Sequence, residues 1–129
     1  MTKKLEHILC VDDDPHLLRL VQICLQTVGG FRISTATNGT EAIAAALNEK
    51  PDMILLDVMM PDMDGPATLA KLRCDTQTST IPVVFMTARI RESEIQEYLA
   101  LGANGVVSKP FDPMTISTEI ETIWKRAHG

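Results

Sequence analysis

A doubly wound α/β domain, with five parallel strands and five helices, is the fold this sequence predicts. Three observations carry that expectation. Short apolar runs and helix-like patterns alternate five times. The runs Ile8–Val11, Met53–Leu56 and Ile81–Met86 are apolar enough to be buried on both faces of a sheet. Runs one, three, four and five each end in a chemically active side chain, at Asp12, Asp57, Thr87 and Lys109. Strict strand–helix alternation implies a parallel sheet with helices on both faces, joined by right-handed crossovers.

The elements follow in order. Ile8–Val11 is the first strand. Asp14 suits a helix N-cap and Pro15 the first helical position. Leu17, Leu18, Val21, Cys24, Leu25 and Val28 then recur at helical spacing until Gly29-Gly30 stops the helix. Phe31–Thr35 is a second, less buried strand. Asn38 and Glu41 read as a capping box, opening a helix with a small-residue face that ends at Asn48–Pro51. Met53–Leu56 is the third strand and leads to Asp57. Gly65-Pro66 opens the third helix, with Leu69 and Leu72 inward. A polar loop, 75–80, precedes the fourth strand, Ile81–Met86. Glu92–Leu101 is the fourth helix, with Ile95, Leu99 and Tyr98 toward the core. Val106–Ser108 is the fifth strand. Asp112-Pro113 caps the last helix, which places Ile116, Ile120 and Ile123 on one face. The most apolar strands, one, three and four, take the centre, and two and five the edges. The order is therefore the flavodoxin-like 2-1-3-4-5, with its binding crevice at the carboxyl ends of strands one and three.

Composition limits the function. The 129 residues suit one domain spanning 1–129, with 45% apolar and 22% charged residues. A net charge of −5 and the lack of a basic stripe argue against nucleic-acid binding by this chain, and against membrane-surface binding. No apolar run approaches the roughly 18 residues that span a bilayer. The amino terminus is too short and acid-interrupted for a signal peptide. The expected location is the cytoplasm. Cys10, Cys24 and Cys74 are widely spaced, which argues against a disulfide framework or zinc site. The histidines His7, His16 and His128 lack metal-ligand spacing.

Parallel strands put their carboxyl ends on one rim. Asp12, Asp13, Asp57, Thr87 and Lys109 should therefore meet. Capping explains Asp14 but not the acids before it. Two carboxylates 4 Å apart repel by about 1 kcal/mol in water and about 4 near a protein surface. Such a cluster needs a proton or a cation. Mg²⁺, a hard ion that uses few carboxylates and keeps waters, suits it. Three carboxylates, one dication and Lys109 come close to neutrality. Such a site can receive a phosphoryl group, and Asp is an established covalent acceptor.

Four blocks in this order resemble the receiver domain of two-component response regulators. They are Val11-Asp12-Asp13, Leu56–Gly65, Phe85-Met86-Thr87-Ala88 and Lys109-Pro110-Phe111. The resemblance covers essentially the whole chain. It implies that Asp57 is the phosphoacceptor and that Asp12, Asp13 and Asp57 hold Mg²⁺ together with the backbone carbonyl of Met59. It implies that Thr87 is the switch hydroxyl, that Lys109 pairs with the phosphoryl group, and that Lys109-Pro110 is cis. The implied donor is a phosphohistidine on a sensor histidine kinase or a histidine phosphotransfer protein. The implied output face is helix four, strand five and helix five, with an unidentified output partner and a monomer or weak dimer as the assembly. One position departs from the pattern. Val106 stands where receivers place an aromatic switch residue, so the expected signal is movement of the loop after Thr87 and of helix four.

Two other functions compete. A Mg²⁺-dependent phosphohydrolase with an aspartyl-phosphate intermediate commonly carries a second acid two residues after the nucleophile, and here that position is Met59. A receiver-like interaction module that is never phosphorylated is expected to lose the acids or the lysine, and all are present. The expectation is a non-enzyme, limited to its own phosphorylation and dephosphorylation. Arg89 reads equally as a gate for water and as a solvated loop residue. His16 is expected to be exposed. Trp124 and Tyr98 read as packing residues or partner contacts.

Overall fold

The computed structural model describes residues 4–88 and 91–128. The elements are β1 (His7–Val11), α1 (Pro15–Thr27), β2 (Arg32–Ala36), α2 (Gly39–Glu49), β3 (Met53–Asp57), α3 (Gly65–Cys74), β4 (Val83–Thr87), α4 (Glu92–Ala100), β5 (Gly105–Ser108) and α5 (Ile116–His128). All strands are parallel and lie in the order β2-β1-β3-β4-β5, as the sequence predicts.

Successive strand side chains point to opposite faces, so the three central strands feed two cores. Ile8, Cys10, Met53, Leu55, Val84 and Met86 pack under Val21 and Leu25 of α1 and Ile116, Ile120 and Ile123 of α5. Leu9, Val11, Ile54, Leu56, Val83 and Phe85 pack under Ala42 and Ala46 of α2 and Leu69 and Leu72 of α3. Trp124 is buried in the first core. Tyr98 is half-buried and meets the Phe85 ring edge-on at 5.1 Å.

The helix ends follow local chemistry. Asp14 accepts the His16 and Leu17 N–H groups at 3.0 and 3.4 Å and opens α1. Asn38 accepts the Glu41 N–H at 2.8 Å. The reciprocal half of the expected capping box is displaced by one residue. Glu41 accepts the Thr37 N–H and hydroxyl instead of reaching Asn38.

Several boundaries differ from the sequence reading. Phe31 precedes β2 because its N–H closes the end of α1 on Leu25 O at 3.2 Å. Ile81 precedes β4 because its N–H donates to Thr78 O in a turn. Asp112 caps a tight turn, accepting the Met114 N–H at 2.9 Å, and the regular helix starts only at Ile116. Leu99 is not inward. It is 39% exposed, and α4 has no buried residue, because only the short edge strand β5 packs extensively against it. Arg89 lies outside the described residues.

Candidate functional site at the carboxyl rim of the sheet

Four strand ends deliver the site. Asp12 follows β1 directly, and its N–H donates to Ala36 O at 3.2 Å. Asp57 is the last residue of β3 and lies opposite Met86. Thr87 is the last residue of β4 and is buried. Lys109 follows β5, anchored by its N–H on Thr87 O at 2.9 Å. Asp13 stands beside Asp12, exposed at the rim. The residues singled out from sequence therefore share one rim.

The geometry is tight. Lys109 Nζ lies 2.9 Å from Asp12 Oδ2 and 3.1 Å from Asp57 Oδ1. Asp12 Oδ1 accepts the Asp14 N–H at 2.9 Å, which aims the buried carboxylate at the lysine. Asp12 is 0% and Asp57 2% exposed, so one ammonium faces two acids that water scarcely reaches. Gly65 brings the start of α3 against the acid's own backbone. A Cβ there would stand 2.6 Å from Asp57 O and 2.9 Å from Val58 Cα, so only glycine fits without a shift. The Gly65 N–H donates to Val58 O at 2.9 Å and closes the loop that carries Met59.

Electrostatics set the charge state. Burial, and then the neighbouring Asp12 carboxylate, push the Asp57 carboxyl above the usual range. Lys109 and the Met59 N–H pull against this without prevailing. Burial alone would lower the Lys109 ammonium. Its hydrogen bonds and charge attraction to Asp12 and Asp57 outweigh that and hold it above the ordinary lysine value. One lysine shared by two acids explains why both shifts are upward.

This donor set fits a hard cation. One carboxylate oxygen each of Asp12, Asp13 and Asp57 lies within 4.8 Å of the others. Asp57 Oδ2 is buried with no partner of hydrogen-bond geometry among the described residues. All three ligands are oxygens, the type that Mg²⁺ and Ca²⁺ take. The acidic group can therefore hold a metal ion. A hollow of about 760 Å³ lies at the opposite end of the sheet, lined by Leu5, Gly30, Phe31 and Trp124, and it holds none of the convergent acids.

A family model described as "Response regulator receiver domain" matches residues 8–121. The chain belongs to that family. This receiver is a phosphoaccepting signalling domain of the two-component type. It is 37% identical over 127 residues to the alkaline phosphatase synthesis transcriptional regulatory protein PhoP of Bacillus subtilis, covering 98% of this chain and 50% of that protein. It is 38% identical over 120 residues to response regulator Rre1 of Synechocystis, covering 92% and 52%. The receiver thus spans about half the length of the curated relatives it matches. Among solved structures, the chemotaxis response regulator CheY4 of Vibrio cholerae superposes with a TM-score of 0.86 at 32% identity, covering 93% of this chain and 99% of that one.

Other expectations find their places around the receiver's rim. His16 is exposed. Lys109-Pro110 is cis. The Met59 side chain is 77% exposed. Val106 is half-buried and lines a groove of about 470 Å³ with Thr118, Thr122 and Ile123. Sequence reasoning did not single out the Gly65–Asp57 contact. Its signal was present in Pro61-Asp62-Met63-Asp64-Gly65, a turn-rich stretch ending in the smallest residue beside a strand end. Among the described residues, no helix is long and apolar enough to cross a membrane.

Proposed function

We propose that Asp57 is the phosphoacceptor of this receiver. The observation that carries the reading is the shared Lys109 ammonium, 3.1 Å from Asp57 and 2.9 Å from Asp12, beside a buried Asp57 oxygen with no partner of hydrogen-bond geometry among the described residues. Asp57 is an oxygen nucleophile held at a strand end, and the same lysine can follow the charge as it moves onto a phosphoryl group.

In the proposed reaction an Asp57 carboxylate oxygen attacks phosphorus of a phosphohistidine. An O–P bond forms, the N–P bond breaks, and the imidazole nitrogen leaves with the electron pair. Lys109 neutralises charge on the phosphoryl oxygens. Thr87 donates its hydroxyl to the product. Asp12, Asp13, Asp57 and the Met59 backbone carbonyl would hold Mg²⁺, which when bound neutralises phosphoryl charge as a Lewis acid. Hydrolysis reverses the state: water attacks phosphorus, inorganic phosphate leaves, and the Asp57 carboxylate returns. The domain acts on itself and turns over no separate substrate.

The donor in this reading is a sensor histidine kinase or a histidine phosphotransfer protein in the cytoplasm. Residues 1–129 act as one receiver unit, monomeric or weakly dimeric. Its α4–β5–α5 face addresses an output partner. The relatives named as transcriptional regulators make a DNA-directed output the favoured class for the whole protein, with this unit itself not touching nucleic acid.

Intact-mass measurement with Mg²⁺ and acetyl phosphate tests the assignment. One phosphoryl adduct is expected, lost without Mg²⁺ and lost in Asp57→Asn. An adduct surviving in Asp57→Asn overturns the site. Sustained phosphate release from simple phosphate esters favours a phosphohydrolase instead.

A further inference from the structure

Arg73, near the carboxyl end of α3, ties together segments that are distant in sequence. Its Nη1 donates to Ile81 O at 2.8 Å. Its Nη2 donates to Gly102 O at 2.9 Å and approaches Asn104 Oδ1 at 3.3 Å. Asn104 Oδ1 also accepts the Val83 N–H at 3.0 Å, and the Asn104 N–H returns to Val83 O at 2.7 Å. The guanidinium thus joins α3, the segment leading into β4, and the turn between α4 and β5.

That turn is the firm end of a loosely held helix. No residue of α4 is buried, and its N-cap, Arg91, makes no side-chain cap hydrogen bond. At the other end, the Leu101 and Ala103 N–H groups close onto Glu97 O and Tyr98 O at 3.1 Å. Gly102 takes φ +109, a backbone region that favours glycine. A Cβ there would lie 3.4 Å from Arg73 Nε. Ala103 is buried. A nine-residue helix is about 13 Å long, so tethering one end makes it a lever.

We propose that Arg73 is a positioning residue and the fulcrum of α4. It pins the Gly102–Asn104 turn to the base of the sheet. A change at the carboxyl end of β4, where Thr87 sits, then tilts the amino end of α4 instead of sliding the whole helix. This rests on the reading of Asp57 and Thr87 given above. It assigns the pivot to a residue at the opposite end of the sheet from the phosphorylation site.

Hydrogen-exchange mass spectrometry tests it, on samples whose phosphoryl content is read by intact mass. Three variants are compared with the natural chain. Arg73→Met removes every donor. Arg73→Lys keeps the charge but not the fork. Ile120→Val loosens the core without touching the tether. In the unphosphorylated protein, Arg73→Met is expected to raise exchange across 101–105 about tenfold, leaving 92–96 unchanged. Arg73→Lys falls between, and Ile120→Val shows no such local pattern. Phosphorylation of the natural chain is expected to change exchange at 92–98 and spare 101–105, and Arg73→Met spreads the change to both. Should Arg73→Met fail to fold, Arg73→Lys carries the comparison. Equal changes at both ends of α4 in the natural chain overturn the fulcrum, as does an Arg73 variant with the natural exchange pattern. An absent adduct overturns the Asp57 reading, and the unphosphorylated comparison still judges the fulcrum.

Discussion

Lys109 carries two opposed tasks at the level of a single residue. It stabilises Asp12 and Asp57 in the resting domain, and its charge competes with any cation for the same oxygens. Lys109→Met is therefore expected to bind Mg²⁺ more tightly and to accept phosphate from acetyl phosphate at least about tenfold more slowly, since about 1.4 kcal/mol of lost transition-state stabilisation suffices. A Mg²⁺ titration and intact-mass time courses check the two halves separately. Asp57 shows the cost of the arrangement. A carboxyl whose folded pKa is raised contributes stability at low pH and loses it as pH rises through the folded value. Once ionised, the acid thus strains the fold, and Asp57→Asn is expected to melt at a higher temperature than the natural chain in EDTA.

His7 makes the converse case. It is buried, with Arg32 Nη2 3.3 Å from Nδ1 and Ser34 Oγ 2.7 Å from Nε2. Arg32 can only donate, so Nδ1 accepts and Nε2 carries the hydrogen. Ser34 in turn donates to Glu49 at 2.7 Å. Burial and then Arg32 lower the imidazole pKa, against the opposite pull of Glu49 and Asp52. The unfolded chain therefore takes up a proton first. Stability is full above the unfolded value and falls as pH drops through the folded one. The urea midpoint is expected to decline on acidification below about pH 6.5, with a shallower decline in His7→Asn.

The helices divide by how much they bury. Ile120 is 0% exposed between α5 and the sheet, whereas Leu99 of α4 is 39% exposed. Ile120→Ala is expected to cost about 2–5 kcal/mol of unfolding free energy, and Leu99→Ser within about 0.5, both read by urea titration. The same contrast shows what local pattern can tell. Ile95, Tyr98 and Leu99 have helical spacing and do form a helix. Spacing alone cannot reveal that the neighbouring edge strand is too narrow to cover all three. Asp112 carried a cap signal that was real but closed a turn instead of the helix, because both use the same side-chain hydrogen bond.

Across the whole molecule, the rim was legible because two simple facts combine. Alternating strands and helices force parallel strands, and parallel strands gather their carboxyl ends. Asp12, Asp13, Asp57, Thr87 and Lys109 could thus be brought together without knowing a single distance. Arg73 and His7 could not. Their partners lie far away in sequence, at Gly102 and Arg32, and no periodicity marks such pairs. If the acids hold Mg²⁺, the ion favours the folded state, by about 2.7 kcal/mol at one hundred times its dissociation constant. The melting temperature is then expected to rise with Mg²⁺. The rise should shrink on acidification, because protons occupy the raised Asp57 site in competition with the ion.

The sheet order has a further consequence. Each strand that feeds the rim gives it one or two side chains, and Asp12 and Lys109 come from opposite ends of the chain. No fragment owns the site. A chain cut between α2 and β3 would leave Asp12 and Asp13 on one piece and Asp57 and Lys109 on the other. Divalent-ion affinity in a mixture of the two pieces would then report their reassembly, making this centre a built-in gauge of whether the whole sheet has closed.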